Sequence, residues 1–266
     1  MKTTSLYKTS AGEKAVMAWY DSILERWPVP HETLTLTTRY GNTFVIASGQ
    51  SSSPPLLLLH GAGTNSAVWA REIVAYSRAL RTYAVDLIGE AGRSASSRPE
   101  WRGPAYAEWL DDVLRALKVK SAVLVGMSQG AWVALKYTIE KPDRVEKLVL
   151  TCPGGVIPDR VSFVLRAVFY SLLGSWGVKR MVRMLYADQR VPEGVEERTA
   201  VLISNFRTRM GVLPIFSDEE LHRLTMPTLL LGGTKDALRD IEKMRHGSTR
   251  SCHSLTSRSS QEQDMP

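Results

Sequence analysis

Ala122-Val123-Leu124-Val125-Gly126-Met127-Ser128-Gln129-Gly130-Ala131-Trp132-Val133-Ala134-Leu135-Lys136 decides the fold. Its first four residues form a short apolar run, which suits a strand buried on both faces. Its last six read as the start of a helix. Between them Ser128 is flanked by glycines two residues away on each side. A strand that turns this sharply into a helix forces the central residue into strained backbone geometry, and only glycine leaves room at the flanks. The turn lifts the serine hydroxyl above the sheet and aims the first amides of the helix at any oxyanion formed there. Taken alone, Gly-x-Ser-x-Gly is a weak pattern, and a chance loop serine is the bland reading. The strand before and the helix after make it specific.

Working outward, similar apolar runs recur at Leu56–Leu59, Thr82–Val85, Lys147–Leu150 and Thr228–Leu231. Helical patterns lie between them at about Ala67–Ala79, Ala105–Leu117 and Gln129–Glu140. Strand alternating with helix predicts an α/β fold with a mostly parallel sheet flanked by helices. Ahead of this core, Thr33–Thr38 and Thr43–Ala47 alternate around Tyr40-Gly41-Asn42, which predicts an antiparallel hairpin. Val16, Trp19, Tyr20, Ile23 and Leu24 predict an amphipathic helix before it. Residues 156–224 lack sheet-like runs and are expected to form a helical cap inserted into a core of 1–155 and 225–243. Such an insert would lie over the ligand-binding edge of the sheet. A separate helical domain fits less well, because a core strand resumes afterwards.

The 266 residues, 44% hydrophobic and 23% charged, suit a globular chain. The formal net charge is +7, but the bases are interspersed with acids and form no aromatic-interleaved block. No nucleic-acid partner is therefore expected. No apolar stretch reaches membrane-span length and the N-terminus is not an apolar signal core, so no membrane partner and a cytoplasmic location are expected. Cys152 and Cys252 alone make neither a disulfide framework nor a zinc site. Cys152 closes an apolar run and reads as a core thiol. No metal or cofactor site is indicated, since Gly154-Gly155 and Gly232-Gly233 lack phosphate-loop context.

His60-Gly61-Ala62-Gly63 follows the Leu56–Leu59 run. Its small residues let backbone approach a reacting centre, so Gly61 and the Ala62 amide join Gln129 as oxyanion and substrate-binding candidates. His60 itself reads as a loop-fixing residue. These motifs, with Asp86-Leu87-Ile88-Gly89-Glu90-Ala91-Gly92-Arg93-Ser94, resemble the α/β-hydrolase superfamily and its capped esterase-like members over roughly residues 30–240. The resemblance implies a Ser-Asp-His triad acting on a small-molecule ester or thioester. Serine at 128 argues against the branches that use a carboxylate nucleophile. A carbon–carbon or lactone hydrolase would use the same triad, and a silent binding protein would use the fold alone. Phe163, Phe169, Tyr170 and Trp176 suggest an apolar pocket, although most are expected to pack the cap on the core.

In the family's place for the acid, Asp236 follows Leu229-Leu230-Leu231; the bland reading is a helix cap before Ala237-Leu238. Asp159 is the weaker alternative. The base is the difficulty, because a serine hydroxyl needs a histidine to take its proton. Beyond Met244 there is one leucine and no valine, isoleucine or aromatic residue. Residues 244–266 therefore predict a disordered tail, with the family's final strand and helix missing. The abrupt shift predicts a lost reading frame near residue 244 or a replaced C-terminus. His253 is named for the histidine place ahead of His246, while His31 and His222 read as surface or packing residues. Without a following strand, Thr228–Leu231 would be an exposed apolar edge open to self-association.

Overall fold

The computed structural model describes residues 5–186, 191, 193–209, 211–233, 236–240, 243 and, as backbone strand, 255–259. Among the described residues there are eight strands: β1 (His31–Thr38), β2 (Gly41–Ser48), β3 (Pro55–Leu59), β4 (Arg81–Val85), β5 (Ala122–Met127), β6 (Val145–Thr151), β7 (Thr228–Gly232) and β8 (Leu255–Ser259). They form one sheet in the order β1-β2-β4-β3-β5-β6-β7-β8. The β1–β2 hairpin joins β4 antiparallel, and every later pairing is parallel. The apolar runs fall on the strands as read from sequence, because a parallel strand is covered on both faces. Leu57, Leu59, Leu124 and Leu148 face one core layer, Leu56 and Leu58 the other.

Helices α1 (Ser10–Leu24), α2 (Ile73–Tyr76), α3 (Ala105–Ala116) and α4 (Gln129–Glu140) flank the sheet. The Ala67–Ala79 helix is shorter than expected. Asn65 accepts a bond from the Ala67 amide and closes a tight 3-10 turn over Ser66–Trp69, leaving only α2 beyond it. Between β6 and β7 lie α5 (Val161–Ser171), α6 (Gly174–Leu185), α7 (Val195–Asn205) and α8 (Asp218–Leu221). This insert is pinned where Trp132 of α4 stacks on Phe216 at 5.6 Å and donates to the Pro214 carbonyl at 2.9 Å. Asp86, fully buried after β4, joins three remote segments. Its carboxylate accepts from the Tyr20 hydroxyl at 2.9 Å, the Ser66 amide at 2.8 Å and the Arg93 amide at 2.8 Å.

The C-terminal expectation needs correction. The final strand is not missing: the backbone of Leu255–Ser259 pairs in parallel with β7 from Thr228 to Gly232. An outermost strand is held by main-chain bonds to one neighbour, so Leu-Thr-Ser-Arg-Ser can occupy it without the apolar pattern by which strands are read. Strand β7 is therefore not an edge, and the sheet ends at β8 instead. The rest of 244–266, where a disordered tail was expected, lies outside the described residues.

Candidate functional site

The loops leaving the C-terminal ends of β3, β4, β5, β6 and β7 supply the site, as expected of an open parallel sheet. At its centre Ser128 has φ +52° and ψ −107°. An L residue rarely adopts this conformation, which is sustained only when the surroundings over-determine it. Here they do. The Ser128 amide donates to the Thr151 carbonyl at 2.9 Å, and its carbonyl accepts from the amides of Trp132 at 3.1 Å and Gly154 at 3.2 Å. Both flanking glycines are required by space. A Cβ at Gly126 would lie 2.5 Å from Ala131 Cα, and one at Gly130 would lie 2.1 Å from the Leu59 carbonyl oxygen.

The loop after β3 passes beside the serine: a Cβ built on Gly61 would sit 3.6 Å from Ser128 Cβ. Among the described residues, neither the Ala62 nor the Gln129 amide donates a hydrogen bond. Unpaired N–H groups beside a half-buried hydroxyl can donate to an oxygen that develops negative charge there. His60 is fully buried and holds this loop from beneath. The Leu87 amide donates to its Nε2 at 2.9 Å, so the ring proton is on Nδ1, which faces the Gly61 carbonyl at 2.9 Å. Burial pushes its pKa below the ordinary imidazole value, and the ring stays neutral. With both nitrogens engaged, His60 is a strut.

Sequence reasoning missed Glu90. Only 2% exposed, it accepts from the Gly63 amide at 2.7 Å and from Gln129 Nε2 at 2.9 Å. One carboxylate thus ties the loop carrying Ala62 to the first residue of α4. Burial raises its pKa above the ordinary carboxylate range; the hydrogen bonds from Gln129 and Gly63 and the charges of Arg98 and Arg209 oppose that rise. Its only sequence signal is an acid inside the small-residue loop after β4, which reads equally well as solvated.

Asp236 lies beyond β7 with Oδ1 accepting from the Leu238 amide at 2.7 Å and the Arg239 amide at 3.0 Å. This is the turn-capping geometry of its bland reading, and it orients the carboxyl group without excluding a further partner. Across from it is Cys152, itself at φ +45°. Burial, reinforced by the Asp236 charge, pushes that thiol up to about 12. Asp159 is occupied elsewhere: Arg239, almost fully buried, approaches it to 2.7 Å and donates to the Cys152 carbonyl at 2.8 Å. His246 and His253 lie outside the described residues. His31 is exposed on β1, and His222 is exposed at the end of α8 with Nδ1 2.6 Å from the Asp218 carbonyl. The described structure therefore gathers Ser128, Gly61, Ala62 and Gln129, and sets Asp236 at the same end of the sheet two strands away.

Above this centre the insert makes contact, since a Cβ at Gly63 would meet Thr208 at 3.5 Å. Two of the aromatics expected to pack the cap do not: Phe169 is 58% and Trp176 52% exposed. Among the described residues, no three or more His, Cys, Asp or Glu side chains converge as a metal site.

The family model described as the Alpha/beta hydrolase family matches residues 56–259. Carboxylesterase YbfK of Bacillus subtilis is 32% identical over 229 residues, covering 82% of this chain and 76% of the relative. The uncharacterized carboxylesterase nap of the same organism is 32% identical over 236 residues, covering 85% and 78%. The crystal structure of naproxen esterase from Bacillus subtilis superposes with a TM-score of 0.84 at 28% identity, covering 95% of this chain and 91% of that one. With a family match over most of its length and the strand order to go with it, the chain belongs to the alpha/beta hydrolase family.

Proposed function

We propose that this carboxylic-ester hydrolase cleaves small esters or thioesters through an acyl-enzyme on Ser128. The observation that carries the reading is the Ser128 backbone, held at φ +52° between two glycines that no larger residue can replace. No structural need for a serine in that conformation is evident, because glycine would occupy it at lower cost. In the proposed reaction Ser128 Oγ attacks the carbonyl carbon as its proton passes to the triad base. The carbonyl oxygen, gaining negative charge, moves toward the Ala62 and Gln129 amides. Collapse of the tetrahedral adduct expels the alcohol or thiol, which takes the proton from the base, and water then repeats the cycle on the acyl-enzyme. Asp236 orients the base, and His253 is the proposed occupant of that place. The carboxylesterase names of the full-length relatives support an ester as the substrate.

A fluorophosphonate label tests the nucleophile. Modification of the peptide containing Ser128, absent in Ser128→Ala, is expected. An unlabelled yet folded wild-type chain would instead mark a fold kept for binding. A p-nitrophenyl ester series of rising acyl length then reports the pocket, and His253→Ala separates His253 from other bases. Unchanged turnover in that variant would remove His253 from the triad.

A further inference from the structure

We propose that the outer face of the α5–α6 hairpin docks on an anionic lipid surface. The reading goes beyond ester hydrolysis and starts from α5. A helix of a soluble protein normally turns its apolar stripe inward, but α5 turns one outward. Val161 is 71% exposed, Leu165 66%, Phe169 58% and Leu172 78%. Spacings of four, four and three residues put these side chains on one face. Trp176, 52% exposed, extends the patch onto α6. Large apolar groups contiguous in space and bare to solvent mark an interaction surface.

The charge around the stripe says which kind. Residues 160–186 contain Arg160, Arg166, Lys179, Arg180 and Arg183, and not one Asp or Glu. Arg160 is engaged with Asp240. Arg166, Lys179, Arg180 and Arg183 are exposed and pair with no carboxylate among the described residues. Helix α6 is anchored by Val178 and Val182, which pack with Val195 of α7. That anchoring leaves Lys179, Arg180 and Arg183 pointing away from the protein. Arg180 also lies over the Trp176 ring at 5.1 Å, joining a cation to an aromatic group that favours the headgroup level. A second copy of this chain would bring four cations against four cations, which opposes pairing. A bilayer carrying negative headgroups satisfies both halves of the patch: apolar side chains enter the acyl boundary while lysine and arginine meet phosphates. Among the described residues no helix is long and apolar enough to cross a membrane, so the contact is peripheral.

Co-sedimentation of the full chain with phosphatidylcholine vesicles, with and without about 30% phosphatidylglycerol, tests this. Binding to the anionic vesicles alone is expected, weakened by salt. Leu165→Asp/Leu172→Asp and, separately, Arg180→Glu/Arg183→Glu are each expected to lower partitioning by about tenfold or more. Their circular dichroism and p-nitrophenyl acetate turnover are expected to match the wild type. Should the first pair misfold, the second decides. No binding, equal binding to both vesicles, or variants that bind like wild type would overturn the proposal. So would a dimer that Leu165→Asp/Leu172→Asp dissolves, which assigns the face to a second copy. A raised KM for long-chain esters with vesicle binding unchanged would assign it to the substrate entrance. Vesicle binding, circular dichroism and oligomeric state do not require Ser128 to be active, so they fail or succeed apart from the esterase reading.

Discussion

Replacing Glu90 by alanine tests whether one buried carboxylate holds the two arms of the proposed oxyanion site together. The change removes the acceptor for the Gly63 amide at 2.7 Å and for Gln129 Nε2 at 2.9 Å. A hydrogen bond to a charged group contributes about 1.5–3 kcal/mol, and a buried donor left without a partner costs about 1–3 kcal/mol. Relief of the buried carboxylate's desolvation works the other way, so the net loss should be about 2–4 kcal/mol, or about 4–12 °C in Tm for a chain of this size. Glu90→Gln keeps an acceptor for Gly63 and, if Gln129 rotates its amide, a donor for Gln129, so its loss should be about 1 kcal/mol or less. Because burial raises the Glu90 pKa in the folded state, the folded protein holds its proton to higher pH than the unfolded chain does. The wild type therefore loses stability as pH rises from the unfolded carboxylate pKa through the folded one. Glu90→Gln cannot titrate, so the Tm advantage of wild type over it should shrink with rising pH in that window. Thermal denaturation of the three proteins across that range measures both effects. Turnover of p-nitrophenyl acetate by Glu90→Ala should fall about 10–100-fold in kcat, with KM changing less, since a displaced oxyanion donor weakens the transition state more than the ground state. If alanine and glutamine variants melt together, and both keep wild-type pH dependence and kcat, Glu90 is not a tie between the loops.

Three further outcomes follow from the geometry. Ser128→Gly should raise stability by about 1 kcal/mol by relieving the positive φ while abolishing ester turnover; a lower Tm would contradict the strain argument. Gly130→Ala, whose Cβ would meet the Leu59 carbonyl oxygen at 2.1 Å, should cost about 3 kcal/mol or more, seen as loss of soluble protein or a greatly lowered urea midpoint. With its thiol pushed up to about 12, Cys152 should resist iodoacetamide at mildly alkaline pH in the native protein and react once urea unfolds it; peptide mass spectrometry reports the difference, and rapid native labelling would refute it.

The core was legible because parallel strands buried on both faces leave unbroken apolar runs, as at Leu56–Leu59 and Ala122–Val125. The Ser128 turn was legible because its two glycines are demanded by backbone approach within a few residues. Other parts depend on contacts between residues far apart in the chain. Glu90 meets Gln129 across 39 positions, and nothing in its neighbours distinguishes it from a solvated acid. Strand β8 is polar in sequence and paired through its backbone, so periodicity could not reveal it. The exposed stripe of α5 carries the pattern of a buried helix face, and only the fold shows that it points outward.

The Asp86 junction has a consequence for how the protein is made. Tyr20 and its acceptor are separated by 66 positions, so at about 5–20 residues per second the ribosome delivers Asp86 some 3–13 s after the tyrosine. Throughout that interval the carboxylate that takes the Tyr20 hydroxyl is not yet made, and Ala91, Leu202 and Phe206, which cover Val16, come later still. The nascent chain thus has a built-in waiting time, during which a trigger-type chaperone or simple dilution must keep α1 from premature contacts.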